Sequence, residues 1–312
     1  MKRETIIFII AALFLIAAAT FPLYTGAYPH AVAMSVLMYL SLALSWDMLL
    51  RTGQISFGMA GFMGIGAYTA AMVSINLQGV PQIVTLLFGG GMAFVVALGI
   101  GWVVLRLRGM YFAIVTLALG EIFRIIIRNW TSFTGGAQGE VVPQVIFGGD
   151  SRYLYWLMLG VALVTLLVSE IFRRTKIHLA ETAIRNNEMV ASSSGINIHK
   201  YLVIIFAVTS ALQGLTGAAY AQAYGFVTPE GSFSTDFILL PLAMALLGGI
   251  YGSVGPMIGA VLLGVSGEYL KLLLPYGHQI VYGVIVVLVI LFMPKGINGL
   301  IKGRLLHRGG RR

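Results

Sequence analysis

Of the 312 residues, 58% are hydrophobic and 10% charged, and the formal net charge is +9. A soluble domain carries about 25% charged residues, and disorder requires low hydrophobicity. Both classes are excluded, and an integral membrane protein is left. The chain has no cysteine, which rules out disulfide frameworks, thiolate catalysis, Fe–S clusters and cysteine zinc sites.

A membrane helix uses about 20 apolar residues. The apolar runs predict ten spans, at 5–22, 31–50, 54–76, 82–104, 110–129, 153–172, 201–223, 237–252, 255–273 and 277–293. Met1-Lys2-Arg3 ahead of the first run, with Ala17-Ala18-Ala19 near its end, also fits a cleaved signal peptide. Apolar segments continue down the whole chain, which favours an uncleaved first span. The third, eighth and ninth spans are rich in glycine. The expected architecture is an all-α, polytopic transmembrane helical bundle, one domain over 1–312, with some segments broken at glycine.

Lys and Arg mark the cytoplasmic side. With ten spans and both termini cytoplasmic, Lys2, Arg3, Arg51, Arg106, Arg108, Arg173, Arg174, Lys176, Arg185, Lys200, Lys295, Lys302, Arg304, Arg308, Arg311 and Arg312 fall inside. These are 16 of the 20 basic residues. The positive charge therefore needs no nucleic-acid partner, and the basic stretch 302–312 suits anionic lipid heads.

Two connections are long, an outer loop at 130–152 with a glycine-rich turn and an inner loop at 173–200. Residues 53–68 and 248–259 echo each other as short, apolar, glycine-dense stretches in opposite halves. Matched broken segments mark substrate paths in repeat-built transporters, and small residues at these spacings equally serve tight helix packing in lipid. Pro256 after Gly255 is expected to break a helix there, a break tolerated only inside protein or beside a water-filled path.

No catalytic or metal constellation is visible. His30, His178, His199, His278 and His307 are scattered, and no H-E-x-x-H or G-x-S-x-G occurs. No Gly-Lys-Ser or Gly-Lys-Thr is present, so no P-loop exists and any ATP must bind another chain. Ionisable groups inside spans are costly and often functional. Asp47 and Arg51 are spaced to pair, as are Glu268 and Lys271. Glu121, Arg124 and Arg128 form a charged stripe that must face protein or water. Gln213 and Gln222 suit hydrogen bonds across helices or a path lining.

Within the inner loop, 179–194 reads as one short helix stopped by Gly195. Ala180, Ala183, Ile184, Asn187, Val190 and Ala191 share one face. Glu181, Arg185, Glu188 and Ser192 share another, with Glu181 and Arg185 placed to pair. The thin apolar face suits a protein groove better than a lipid surface.

Four segments carry a resemblance. Residues 54–68, Gln-Ile-Ser-Phe-Gly-Met-Ala-Gly-Phe-Met-Gly-Ile-Gly-Ala-Tyr, are similar to a motif of the permease subunits of bacterial branched-chain amino acid ABC importers, closest to the LivM type. Residues 108–117, 183–188 with 195–197, and 248–260 resemble further signatures of that family, and 294–296 fits its last turn. The resemblance implies a non-enzymatic pore subunit in the bacterial inner membrane, moving branched-chain or other hydrophobic amino acids inward. It implies a second, LivH-like permease, two ATPase subunits that bind the ATP, and a periplasmic or surface substrate-binding protein. This chain itself would hold no cofactor. Ile184, Arg185, Asn187 and Glu188 would then contact the ATPase, and Ser56, Tyr68, Glu121, Gln213 and Tyr251 are the candidates for the substrate path. Departures occur at Met59, where the family has histidine, at His178-Leu179 and Glu181-Thr182, where it has Gly-Arg and Leu-Arg, and at Ser192-Ser193-Ser194. Related permeases move urea or short amides on this scaffold. A passive channel or an ion-coupled transporter is the rival that needs no ATPase.

Overall fold

A computed structural model describes residues 17–77, 79–143 and 145–274, and beyond them positions 277, 280, 281, 283, 284, 287, 288 and 296–299. Most of the expected first and last spans, and the basic stretches at 2–3 and 302–312, lie outside the described residues. The described chain is almost wholly helical. Its main helices are α1 (Ala27–Leu50), α2 (Met59–Asn76), α3 (Gln82–Val104), α4 (Met110–Asn129), α5 (Ser151–Arg174), α6 (Lys176–Asn186), α7 (Glu188–Ser193), α8 (Ile198–Tyr224), α9 (Asp236–Gly248) and α10 (Val254–Leu273).

Among the described residues, seven segments are long and apolar enough to cross a bilayer: α1, α3, α4, α5, α8, Pro229–Gly248 and α10. The 18-residue α2 is not among them. It is dominated by alanine, glycine and methionine and is mostly buried, so it passes through protein rather than along lipid. Helix ends are set by local chemistry. Asp150 caps α5 by accepting from Arg152 N–H at 2.9 Å, and Asn197 caps α8 by accepting from Lys200 N–H at 3.0 Å. Gly225, at φ +68°, stops α8 in the left-handed conformation that glycine adopts without penalty.

The centre of the bundle is α8, packed on α3, α2 and α1, with α5 and the α9–α10 pair against α1. Small residues allow these crossings. A Cβ on Gly66 would overlap the Gly214 backbone, and one on Gly217 would overlap the Met63 carbonyl. Gly248 and Gly259 are equally tight against Gly255 and the Met244 carbonyl. Apolar burial does not hold helices together in lipid, so such close van der Waals packing has to. Gln222 adds a polar tie, its amide donating to Gln82 Oε1 at 3.1 Å and Thr85 Oγ1 at 3.2 Å while its oxygen accepts from Ile146 N–H at 3.1 Å. At the end away from the inner loop, Glu140–Val141 and Phe226–Val227 form a two-residue antiparallel ribbon.

Two expectations are corrected here. Pro256 breaks nothing: it lies in the first turn of α10, where a missing N–H costs no helical bond. The break is earlier, over 249–253, so the eighth span ends at Gly248. The inner-loop helix is two helices, because Asn187 leaves helical geometry (φ −163°, ψ 111°) and caps α7, accepting from Met189 N–H at 2.9 Å.

Candidate functional site

Both glycine-dense stretches contain irregular backbone, and both lie at the inner-loop end. The first, 51–58, connects α1 to α2. The second, 249–253, connects α9 to α10. A buried ion pair anchors the second. Asp47 Oδ2 accepts from Arg51 Nε at 3.0 Å, as the spacing predicts. Asp47 Oδ1 accepts from the Tyr251 N–H at 2.6 Å. Arg51 donates onward to the Ser169 carbonyl at 3.3 Å and to Ser169 Oγ at 2.8 Å. Ser169 Oγ lies 3.0 Å from Ser253 Oγ. All four side chains are buried. Such a pair offsets its desolvation cost only when its remaining donors and acceptors are also satisfied, and here they tie α1, α5 and the break together.

Helix α6 closes over this cluster. Ala180, Glu181 and Ile184 are buried on it, and Ile184 packs with Phe172 and Leu202. Arg185 does not pair with Glu181 as the spacing suggested. Its guanidinium carbon sits 4.1 Å above the centre of the Tyr251 ring. Beside it is also Gly53, at φ +86°, where a Cβ would lie 3.5 Å from the Arg185 Cα. Arg185 therefore stacks on the second glycine break and lies next to the first. Glu181 is 0% exposed, and neither carboxylate oxygen has a hydrogen-bond partner. Its nearest opposite group is His178 Nδ1 at 3.8 Å. Burial pushes the Glu181 carboxyl up to about 7; Arg51 and Arg185 oppose the rise and Asp47 adds to it.

The thin apolar face expected to meet a partner is used internally, since Ala180, Ile184 and Ala191 pack into this chain's own core. The kink at Asn187 turns Val190 outward instead. The exposed apolar side chains of the loop are Leu179 (69%), Met189 (80%) and Val190 (60%). Glu188 pairs with Arg108 at 2.9 Å, joining α7 to the α3–α4 turn. Asn187 is exposed at the kink.

At the opposite end, Glu121 pairs with Arg124, and Arg124 and Arg128 both approach Glu230, at 3.7 and 3.6 Å. Tyr68 packs on Phe233, and its buried hydroxyl has no partner. Helix α4 buries only Phe112, Ala113 and Thr116; Tyr111, Ile114, Leu117, Ile122 and Ile125 are exposed beside Glu121.

The five candidate path residues are spread along the bundle. Ser56 lies in the first break, its carbonyl accepting from Trp46 Nε1 at 2.9 Å and its hydroxyl from Gly58 N–H at 3.2 Å. Tyr251, 46% exposed, lies in the second. Gln213 is buried within α8. Tyr68 and Glu121 belong to the other end. A cavity of about 340 Å³ is lined by Tyr28, Val32, Ser35, Ser151, Tyr224 and Glu268. Ser169 and Ser253, which complete the buried cluster, carry no signal in the sequence, and the Arg108–Glu188 pair spans 80 positions. Among the described residues no group of three His, Cys, Asp or Glu is placed to hold a metal.

Membrane-crossing helices broken at glycine and locked to a polar loop are features of a multi-pass transport protein. The chain matches the family model described as branched-chain amino acid transport system / permease component over residues 28–293, and it belongs to that family. It is 29% identical to the high-affinity branched-chain amino acid transport system permease protein LivM of Escherichia coli (strain K12), over 97% of this chain and 77% of that one. It is 25% identical to the LivH permease of Salmonella typhimurium, over 79% and 86% of the two chains. The ribose import permease RbsC of Escherichia coli (strain K12) is 25% identical over 80% of each. No solved structure matches.

Proposed function

We propose that this chain is a pore-forming permease subunit of an ATP-driven importer in the bacterial cytoplasmic membrane, moving branched-chain or other hydrophobic amino acids inward. Family membership supplies the substrate class. The observation that carries the mechanism is the inner-loop end. There, α6 and α7 turn Leu179, Met189 and Val190 outward while Arg185 stacks on the second glycine break and lies next to the first.

In this reading the chain crosses the membrane ten times with both termini cytoplasmic. The clustering of Arg106, Arg108, Arg173, Arg174, Lys176, Arg185 and Lys200 in connections on one side supports that orientation. Two ATPase subunits bind the ATP and dock on α6 and α7, with Arg185, Asn187 and Glu188 at the margin and Ile184 anchoring the helix from within. A second, LivH-like permease faces α4. A membrane-crossing helix that exposes Glu121 beside its Arg partners is suited to protein or a water-filled path, not to lipid. The path then runs past Glu121 and Tyr68 toward Gln213 and Ser56, while Tyr251, under Arg185 in the second break, stands beside it without contacting substrate. A periplasmic or surface-anchored binding protein delivers the substrate.

The test is reconstitution with a second permease, the ATPases and the binding protein in vesicles. ATP-dependent uptake of labelled leucine, isoleucine or valine is the expected result. Uptake of urea instead reassigns the substrate. Uptake that follows an ion gradient and ignores ATPase mutation overturns the ATP-driven reading.

A further inference from the structure

Resting on the docking role of the inner loop, we propose that the Arg185–Tyr251 stack is the contact through which movement of α6 reaches the pore helices, with Tyr251 as the positioning residue. Four observations converge on it. Tyr251 stands at φ +67°, the one described non-glycine residue with positive φ. A bulky side chain is uncommon there and persists only where its surroundings over-determine it. They do so here: its N–H is held by Asp47 Oδ1 at 2.6 Å, Gly249 at φ +114° opens the turn, and Ser253 closes it on Ser169 at 3.0 Å.

Tyr251 is also the side chain in this break that Arg185 covers, at 4.1 Å from the ring centre. The helices on either side of the break cannot slide freely past each other, because Gly248 and Gly259 bring the α9 and α10 backbones into direct contact. A displacement delivered to Tyr251 is therefore passed to the α9–α10 hairpin as a unit. Arg185 also lies beside Gly53, where an added Cβ would come within 3.5 Å of its Cα and Cγ, so the same residue neighbours the break that leads into α2. Arg185 is a pin between the two broken segments, and α6 is the lever that carries it. Packed elements with few alternative arrangements transmit shifts in this way.

The stack has the chemistry this requires. A guanidinium over an aromatic face is held by the ring quadrupole and needs no hydrogen-bond partner, so it can persist through a small sliding movement. Phenylalanine preserves it and alanine removes it. Tyr251 is half-exposed, so truncation leaves the buried Asp47–Arg51–Ser169 cluster in place.

The experiment uses the full assembly in vesicles with radiolabelled leucine. Tyr251→Ala, Tyr251→Phe, Arg185→Ala and the double alanine variant are compared for uptake, for ATP hydrolysed per leucine moved, and for ATPase retained on purification. The expected result for Tyr251→Ala is about a ten-fold loss of leucine moved per ATP, with unchanged KM for uptake and full ATPase retention. Tyr251→Phe restores the ratio, and the double variant loses no more than Tyr251→Ala, the non-additive behaviour of a pair acting as one. A raised KM in Tyr251→Ala makes Tyr251 a substrate contact and overturns the relay. A wild-type ratio in Tyr251→Ala, additive losses in the double variant, or failure of phenylalanine to rescue overturns it as well. If Tyr251→Ala does not assemble, the Tyr251→Phe and Arg185→Ala results decide by the same criteria. A wild-type assembly that retains no ATPase and ignores ATP refutes the docking reading itself, an outcome distinct from failure of the relay in a coupled transporter.

Discussion

Replacing Glu181 should remove a pH dependence from the inner loop. The carboxyl is fully buried, both oxygens lack hydrogen-bond partners, and its pKa is raised from 4.5 to about 7. A carboxyl whose folded pKa exceeds its unfolded value favours the folded state fully below pH 4.5 and loses that contribution as pH rises to 7. At 1.36 kcal/mol per unit, the loss approaches about 3 kcal/mol above pH 7, of which about 2 kcal/mol falls between pH 5.5 and 8. Local opening of α6 should thus be about 30-fold more frequent at pH 8 than at pH 5.5 from this group alone. The assay is amide hydrogen exchange over 176–186, comparing wild type with Glu181→Gln and Glu181→Leu at each pH, so that intrinsic exchange cancels. The protection of either variant relative to wild type should grow with pH across this window. His178 Nδ1 lies 3.8 Å from the carboxylate, so the series is repeated with His178→Gln. A variant-to-wild-type ratio equal at pH 5.5 and 8 in both backgrounds refutes the argument.

Three further outcomes follow from the packing. Asp47→Ala leaves Arg51 buried and unpaired and frees the Tyr251 N–H, so it should cost about 3–5 kcal/mol; thermal unfolding in detergent reads this, and an unchanged midpoint contradicts the cluster. Gly217→Ala drives a methyl into the Met63 carbonyl and should cost about 1–3 kcal/mol as overpacking, where Gly160→Ala, which meets nothing within 4 Å, should be neutral in the same melt. Arg185→Glu should separate ATP hydrolysis from uptake while the protein stays in the membrane, and normal uptake in that variant removes α6 from the coupling path.

Eight helices between residues 27 and 273 were legible from apolar run length, because a span is a local property: about 20 apolar residues satisfy their own backbone whatever surrounds them. The i,i+4 pairing of Asp47 with Arg51 and the i,i+3 pairing of Glu268 with Lys271 at 2.9 Å were legible for the same reason. The glycine stretches at 53–68 and 248–259 were visible as a pattern, and so were the residues 183–188 that resemble a coupling segment. Local spacing misled where tertiary contacts compete with it. Glu181 and Arg185 are one turn apart, yet the bundle buries the first and offers the second an aromatic ring. Pro256 looked like a breaker because its effect depends on whether a helix precedes it, and here one begins.

The sequence by itself determined that this chain crosses a membrane as a helical bundle and that it carries no ATP site of the P-loop type. Only the tertiary structure decided that the two glycine breaks meet at Arg185, that Asp47 reaches Tyr251 across 204 positions, and that the loop turns Leu179, Met189 and Val190 outward. Periodicity and run length are read within a few turns of chain. A buried polar cluster exists only where distant segments exclude water together, and nothing in the spacing of any one segment encodes its partner.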